Sequence, residues 1–314
     1  MITRRTLIQR LVSTGVLTLA SPAVVVAQNL TTLRVGSVAL DSFAEALYGH
    51  DAGIFARAGL NLEIVPFTNG AGSTTAIAGG AIDIGISTVT MMANAAIHGL
   101  PLVYIAGGAL FDGTPNTALV VAKTSKIANA KDFVGKKVAV SGLKDGTHLP
   151  FVVWLTKNGV DPASVSVIEM PFPSMVPAIT RGTIDGAVCG EPFITLGVDD
   201  VRVLAIVHTA LAPRFMTGGW LTSAAWAKAN APLAKRFAAA MYETARWSNK
   251  NRDATGDILA KYTKLDRGVI GRMTRTDFAD TLNRQLLAPS LDWAYKMKFI
   301  EREVSSNEMI ADLG

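Results

Sequence analysis

Short runs of branched apolar residues alternate along this chain with stretches whose apolar positions fall three and four apart, the pattern of strands separated by helices. Leu62, Ile64 and Val65, and later Val165, Val167 and Ile168, read as strands buried on both faces, which a sheet covered by helices on each side provides. The first group belongs to the stretch Gly59 to Thr88, which reads as a strand, a glycine-rich loop, a short helix and a second strand. This unit occurs twice. About a hundred residues on, Gly159 to Pro192 repeats it, and AIAGGAIDIGI (76–86) lies over AITRGTIDGAV (178–188). Gly80 and Gly182 stand where each helix ends, a place for a left-handed residue that only a side chain without Cβ adopts freely. Parallel strands joined by helices put their ligand loops beyond the carboxyl ends of the strands, where helix N-termini present free N–H groups. By that rule Asn69 to Ser73, Ser87, Thr88, Phe172 to Ser174 and Glu191 are candidates for a site.

The rest of the chain fills in around the repeat. Leu33 to Val38 is a first strand, Leu40 to Ser42 the loop beyond it, and Phe43 to Gly59 a helix interrupted by Gly49 and Gly53. A helix over Met91 to His98 and a strand over Leu102 to Ala106 lead to the turn formers Asp112 to Asn116, a boundary. Thr117 to Ala122 then opens a second lobe. It continues through a turn and helix (Ser125 to Lys136), a strand (Lys137 to Ser141), the loop GLKDGT (142–147) and a helix from His148 to Asn158 that Thr147 is expected to cap. After the second repeat and a strand over Val201 to Val207, Pro213 to Gly219 carries the chain back. No strand pattern follows Trp220 to Ser223. Helices are expected after the cap residue Asn230 and over Asp253 to Ala260 and Asp277 to Phe299, packed on the first lobe. The expected architecture is α/β, with residues 1–27 a leader, 30–115 the first lobe, 116–213 the second and 214–314 the return to the first. Two crossings between lobes make a hinge.

Charge removes some function classes. The formal net charge of +5 includes Arg4, Arg5 and Arg10, which leaves 27 basic against 25 acidic residues beyond the leader. That balance, with no run of Lys and Arg, gives no nucleic-acid signal. Arg4-Arg5 ahead of the short apolar run Leu11 to Ala20 resembles a twin-arginine export signal, with cleavage expected after Ala27. No stretch approaches eighteen apolar residues, and no cysteine follows the leader to carry a lipid, so the expectation is a free, monomeric protein of the periplasm. Cys189 is the only cysteine and reads as a buried, inert thiol.

No catalytic machine is legible. A nucleophile elbow is missing, and His50, His98, His148 and His208 lie too far apart for metal spacing, so neither a metal nor another cofactor is expected. Asp83 and Asp185, equivalent in the repeat, read as turn and cap formers. Glu191 either faces a cleft or lies on the surface beside a turn; Trp220 either covers a ligand or fills the core. Gly142, Gly146 and Thr147 form a candidate cradle of N–H groups for an anion, to which Lys144 and His148 would add charge.

The stretches GHDAGIFARAGLNLEIVPFTNGAGSTTAIAGGAIDIG, ANAKDFVGKKVAVSGLKDGTHLPFVVWLTKNGV, AITRGTIDGAVCGEPF and NAPLAKRFAAAMYETARWSNKN resemble the SsuA/NMT1/THI5-like substrate-binding proteins of ABC importers. The resemblance implies a type II periplasmic binding protein fold that closes on a small molecule and delivers it to a membrane permease. The ligand set it implies holds aliphatic sulfonates, taurine, nitrate, aromatic acids and vitamin precursors, read here as a small anion. Matching positions imply binding residues Leu40, Asp41, Ser42, Asn69, Gly70, Ala71, Ser87, Thr88, Gly146, Thr147, His148 and Glu191. The family's sulfonate binders carry a serine-rich turn where Thr147 stands here, which leaves sulfonate open. Enzymes of the same fold, a pyrimidine synthase or a menaquinone-pathway dehydratase, are the alternative, opposed by the leader and the single cysteine. A ligand-sensing receptor domain would need a signalling segment not seen here. The expectation for the anion is capture by backbone N–H groups at Gly70-Ala71 and Gly146-Thr147 rather than by a buried arginine.

Overall fold

Branched strands of the computed structural model, which describes residues 30–38 and 40–313, gather into two sheets of one plan. The expected leader lies outside the described residues. In chain order the strands are β1 (Thr31–Val38), β2 (Leu60–Phe67), β3 (Gly85–Thr88), β4 (Leu102–Gly107), β5 (Ala109–Phe111), β6 (Thr117–Ala122), β7 (Lys137–Val140), β8 (Ser166–Glu169), β9 (Gly186–Gly190), β10 (Val201–Ala205), β11 (Phe215–Met216), β12 (Gly218–Ser223) and β13 (Asp277–Phe278). The helices are α1 (Glu45–Asp51), α2 (Ile54–Arg57), α3 (Gly70–Ala78), α4 (Val89–Ile97), α5 (His148–Lys157), α6 (Phe172–Thr180) and α7 (Phe193–Leu196), then α8 (Ala224–Ala229), α9 (Ala231–Lys250), α10 (Arg252–Thr263), α11 (Arg267–Arg272), α12 (Arg284–Lys296) and α13 (Ser306–Met309).

The second lobe is a five-stranded sheet in the order β10-β6-β9-β7-β8, with β7 parallel to β8 and β9, and β6 antiparallel to β9 and β10. The first lobe repeats it. There β1 pairs with β2 in parallel and meets β3 at the Val35–Ile84 bridge, while β12 runs antiparallel to β3 and β4, so the lateral order is β4-β12-β3-β1-β2. The repeat seen in the sequence is therefore a repeat of the sheet's centre, closed on its far side in each lobe by an antiparallel pair. Both repeat helices end as their glycines require: Gly80 and Gly182 each have φ 70°. Both repeat aspartates accept from the backbone of the neighbouring strand, Asp83 from Arg34 N and Asp185 from Lys137 N, each at 2.8 Å.

On the outer face of the first sheet, α9 presents Ala234, Phe237, Ala238, Met241 and Ala245 at helical spacing, all buried. Phe237 stacks on Phe55 with ring centroids 5.6 Å apart and meets Trp220 edge-on at 6.1 Å. Side chains of this size stabilise by roughly 1.5–3 kcal/mol each when fully buried. Trp220 thus fills the core, and its Nε1 donates to Glu45 Oε2 at 2.7 Å. Burial holds the Glu45 carboxyl well above its usual range, against the lowering effect of that bond.

Three expectations are corrected here. The helix expected over Phe43 to Gly59 follows a 3-10 turn (Asp41–Phe43) and starts at Glu45; it breaks at Gly53 (φ 70°) as expected, but α1 runs through Gly49 without interruption. Only a 3-10 turn, Ala130–Phe133, forms between Ser125 and Lys136. Asp277 does not begin a helix: it belongs to β13, and α12 starts at Arg284. This strand joins β5 and β11 in the order β11-β5-β13, so the two crossing strands are braced by a third from the C-terminal region.

Candidate functional site

A cavity of about 200 Å³ opens where the carboxyl ends of β1, β3, β7 and β9 and the helices that follow them meet. That is below the roughly 300–1,000 Å³ of sites for drug-sized ligands, so it suits a small molecule. Of the twelve binding residues that the resemblance implies, all but His148 line it; of the further loop candidates, Gly142 and Phe172 do, whereas Gly72, Ser73, Lys144, Pro173 and Ser174 do not.

On the first-lobe side, Asn69 caps α3 by accepting from Gly72 N at 3.0 Å. A helix leaves its first N–H groups without partners inside the helix, and those of Gly70 and Ala71 open the helix at the wall of the cavity. Beside them Ser87 is fully buried and its Oγ has no partner. A Cβ built on Gly70 would stand 3.1 Å from that oxygen, which is the close approach the glycine permits. Thr88 caps α4 through Met91 N at 3.3 Å. Leu40 and Ser42 lie beyond β1, and between them Asp41 is 1% exposed. Its carboxylate accepts from Tyr48 Oη at 2.5 Å, from Thr276 N at 2.7 Å and from Arg275 at 2.8 and 3.0 Å.

The second-lobe side differs from the expected N–H cradle. Asp145 Oδ1 accepts from Thr147 N at 2.8 Å, Thr147 Oγ1 at 2.8 Å and His148 N at 2.9 Å, and Ser141 Oγ donates to Oδ2. The anion at the start of α5 is thus the protein's own carboxylate. Thr147 makes no side-chain cap, because its hydroxyl accepts from Ser141 N at 2.9 Å and donates to Asp145. Burial raises the Asp145 carboxyl, with these hydrogen bonds opposing. His148 points elsewhere: Nδ1 accepts from Lys144 N at 3.0 Å and the ring packs edge-on against Phe299. Burial, and then the Lys144 charge, lowers it to about 4, so it supplies no positive charge at neutral pH.

Glu191 is 7% exposed and lines the cavity, settling the choice between cleft and surface. Oε1 accepts from Thr195 Oγ1 at 2.8 Å and from Thr274 N at 3.3 Å, and Oε2 from Thr195 N at 3.0 Å. Burial raises this carboxyl too. The contact with Thr274 spans the lobes. So does the approach of Gly146, where an added Cβ would stand 2.9 Å from the Thr88 side chain.

Several lining residues had no clear signal in the sequence. His208 packs its ring against Phe111 and Phe215 of the crossing strands and hydrogen-bonds the Gly146 backbone; its Nδ1 has no partner. Burial pushes it down to about 4. Asn116 Nδ2 donates to Thr276 Oγ1 at 3.1 Å, and Glu169 accepts from Leu143 N at 3.3 Å. Cys189 is fully buried, does not line the cavity and is pushed up to about 12 by burial and then by the Glu191 charge.

Residues 41–254 match the model of the family described as NMT1/THI5 like, a span that takes in both copies of the repeat and most of the cavity wall. The chain belongs to the NMT1/THI5-like family. It is similar to the taurine-binding periplasmic protein of Escherichia coli K12, 30% identical over 149 residues, 47% of this chain and 45% of that protein. Another NMT1/THI5-like relative is the 4-amino-5-hydroxymethyl-2-methylpyrimidine phosphate synthase of Schizosaccharomyces pombe, 28% identical over 136 residues, 43% of this chain and 38% of that one. The chain thus spans less than half the length of either relative. Among solved structures, the alkanesulfonate-binding protein SsuA of Xanthomonas axonopodis, bound to MOPS, superposes with a TM-score of 0.76 at 18% identity, over 90% of this chain and 98% of that one. At that identity the likeness shows the fold, the α/β periplasmic binding protein fold.

Proposed function

We propose that this chain is the solute-binding component of an ABC importer, which encloses a small molecule between its lobes in the periplasm and presents it to a permease. The observation that carries the reading is a cavity walled by the strand ends of two sheets of one plan and bridged at Glu191–Thr274, with three strands as the hinge. The names of the taurine-binding and alkanesulfonate-binding relatives support small sulfonates as the neighbourhood of the ligand. A binding role also suits the state of the wall. Asp41, Asp145 and Glu191 are each fastened by three or more hydrogen bonds, and the one thiol is buried outside the cavity, so the side chains hold a shape rather than stand ready to transfer protons. The leader supports export, with Arg4-Arg5 favouring the twin-arginine route.

Protein isolated from its own periplasm should release a small molecule detectable by mass spectrometry. Added back to stripped protein, that molecule should shrink the radius of gyration in small-angle scattering, and deleting the gene should abolish its uptake. Conversion of the molecule to another product on incubation with the protein alone would overturn the binding reading in favour of an enzyme.

A further inference from the structure

We propose that α5 stays seated on α12 whether the cleft is open or closed, so that the second lobe moves with one of its own helices built into the core of the first. The inference rests on the solute-binding reading only in taking the lobes to move. The sequence already divides α5 into two faces. Leu149, Val152, Val153 and Thr156 fall three and four apart on one side, and Phe151 and Leu155 lie on another. Phe151 and Leu155, both fully buried, belong to the core of the second lobe with Phe133, Val138 and Val188. Leu149, Val152 and Val153 belong instead to the core built by Leu287 and Leu291 of α12 and by Phe299 beyond it. A helix that completes two cores leaves neither without exposing a face.

The contact runs the length of α5. At its first residue the His148 ring meets Phe299 edge-on at 4.9 Å, which is where this residue went instead of the cavity. At its far end Thr156 Oγ1 donates to Met297 Sδ at 3.8 Å, and Lys157 Nζ lies 5.0 Å from the centre of the Trp293 ring. Trp293 Nε1 in turn donates to Leu211 O at 3.2 Å, just before the chain leaves the second lobe. Parts of one chain move against each other across small or polar interfaces and are held by large apolar ones. The bridge at Glu191 is of the first kind, a hydrogen bond of 3.3 Å from Thr274 N on the wall of the cavity. The α5–α12 contact is of the second. Leu149, Val153 and Leu287 are fully buried, Leu291 and Phe299 nearly so, and parting the helices would wet them together, at a cost that grows with the apolar area exposed. Opening therefore separates the lobes at Glu191 and along the cavity and leaves α5 in place.

Thiol labelling of stripped, full mature protein tests this without a solute, with an aromatic disulfide as the reagent. Val153→Cys puts a thiol inside the contact and Ser87→Cys puts one in the cavity wall, both at fully buried positions, and the parent with its buried Cys189 gives the blank. The Ser87 variant should react about a hundredfold or more faster than the Val153 variant, whose rate should follow global unfolding in urea. Equal rates overturn the proposal: both fast means that the contact parts with the cleft, and both slow means that there is no motion for it to survive. Because Val153→Cys alters a core position, a second measurement uses the rim, where Thr156→Cys and Met297→Cys are bridged by dibromobimane. Bridging should leave the scattering radius of the stripped protein unchanged. A smaller radius after bridging would show that the contact had been open, and would equally overturn the proposal. The importer reading is tested apart from this, by the molecule recovered from the native protein and by its uptake.

Discussion

Replacing His208 with phenylalanine should make the protein markedly less sensitive to mild acid. The imidazole is 4% exposed, with its ring between Phe111 (centroids 5.5 Å) and Phe215 (6.1 Å) and its Nδ1 without a hydrogen-bond partner. Burial lowers its pKa from the ordinary 6.5 to about 4. Between those values the unfolded chain takes up the proton first, so stability is fully present above about pH 6.5 and is lost as the pH falls toward 4. Linkage puts the loss at about 2 kcal/mol between pH 7 and pH 5, approaching 3 at pH 4. His208→Phe keeps the ring stack and removes the titration. Urea unfolding of both proteins at pH 7, 6 and 5 measures it. Every other titrating group is common to the two, including Glu45, Asp145 and Glu191, whose raised pKa values act in the opposite sense and cancel in the difference. The variant should lose about 2 kcal/mol less than the parent over that interval. Parallel pH profiles would refute the reasoning, and would mean that water or a carboxylate reaches His208 in the folded protein.

Two further outcomes follow from packing and charge. Arg275→Met strands the Asp41 carboxylate in the wall of the cavity and should cost about 3–5 kcal/mol in urea unfolding, with much of it recovered when Asp41→Asn is added. Gly49→Ala puts a methyl against the Thr244 hydroxyl and 2.6 Å from the Phe55 ring, where α1 meets α9, and should cost about 1–3 kcal/mol, read as a lower melting temperature.

Much of the fold was legible because its information is local. Glycines at helix ends and branched strands state their roles within a few residues, and Gly80 and Gly182 took the places expected of them; Asp83 and Asp185, expected as turn and cap formers, instead accept from strand neighbours 49 and 48 residues away. What escaped is partnership across the chain. Arg275 lies 234 residues from Asp41, and nothing near it in sequence says that it neutralises a carboxylate in the cavity wall. The hinge's third strand is two residues long, too short for any alternation to show. Competition between neighbours misled as well. Thr147 occupies a cap position, but of the two amides its hydroxyl could cap, Leu149 N donates to Asp145 O at 3.2 Å and Pro150 has no N–H, so the hydroxyl turns to Ser141 and Asp145 instead. Asn230 likewise stands at the start of α9 yet turns its side chain back to Trp226 O.

The three short strands β11, β5 and β13 bear on how the two halves can move. A ribbon two strands wide twists as easily as it bends, which would let one half roll against the other and smear the register between Gly146 and Thr88. A third strand hydrogen-bonded alongside turns the ribbon into a small plate, stiff against shear in its own plane, and leaves bending across the strands as the soft direction. For the proposed closure, the C-terminal region, remote from both crossings in sequence, thereby sets the axis, so that a closing stroke would return the same atoms to the same neighbours.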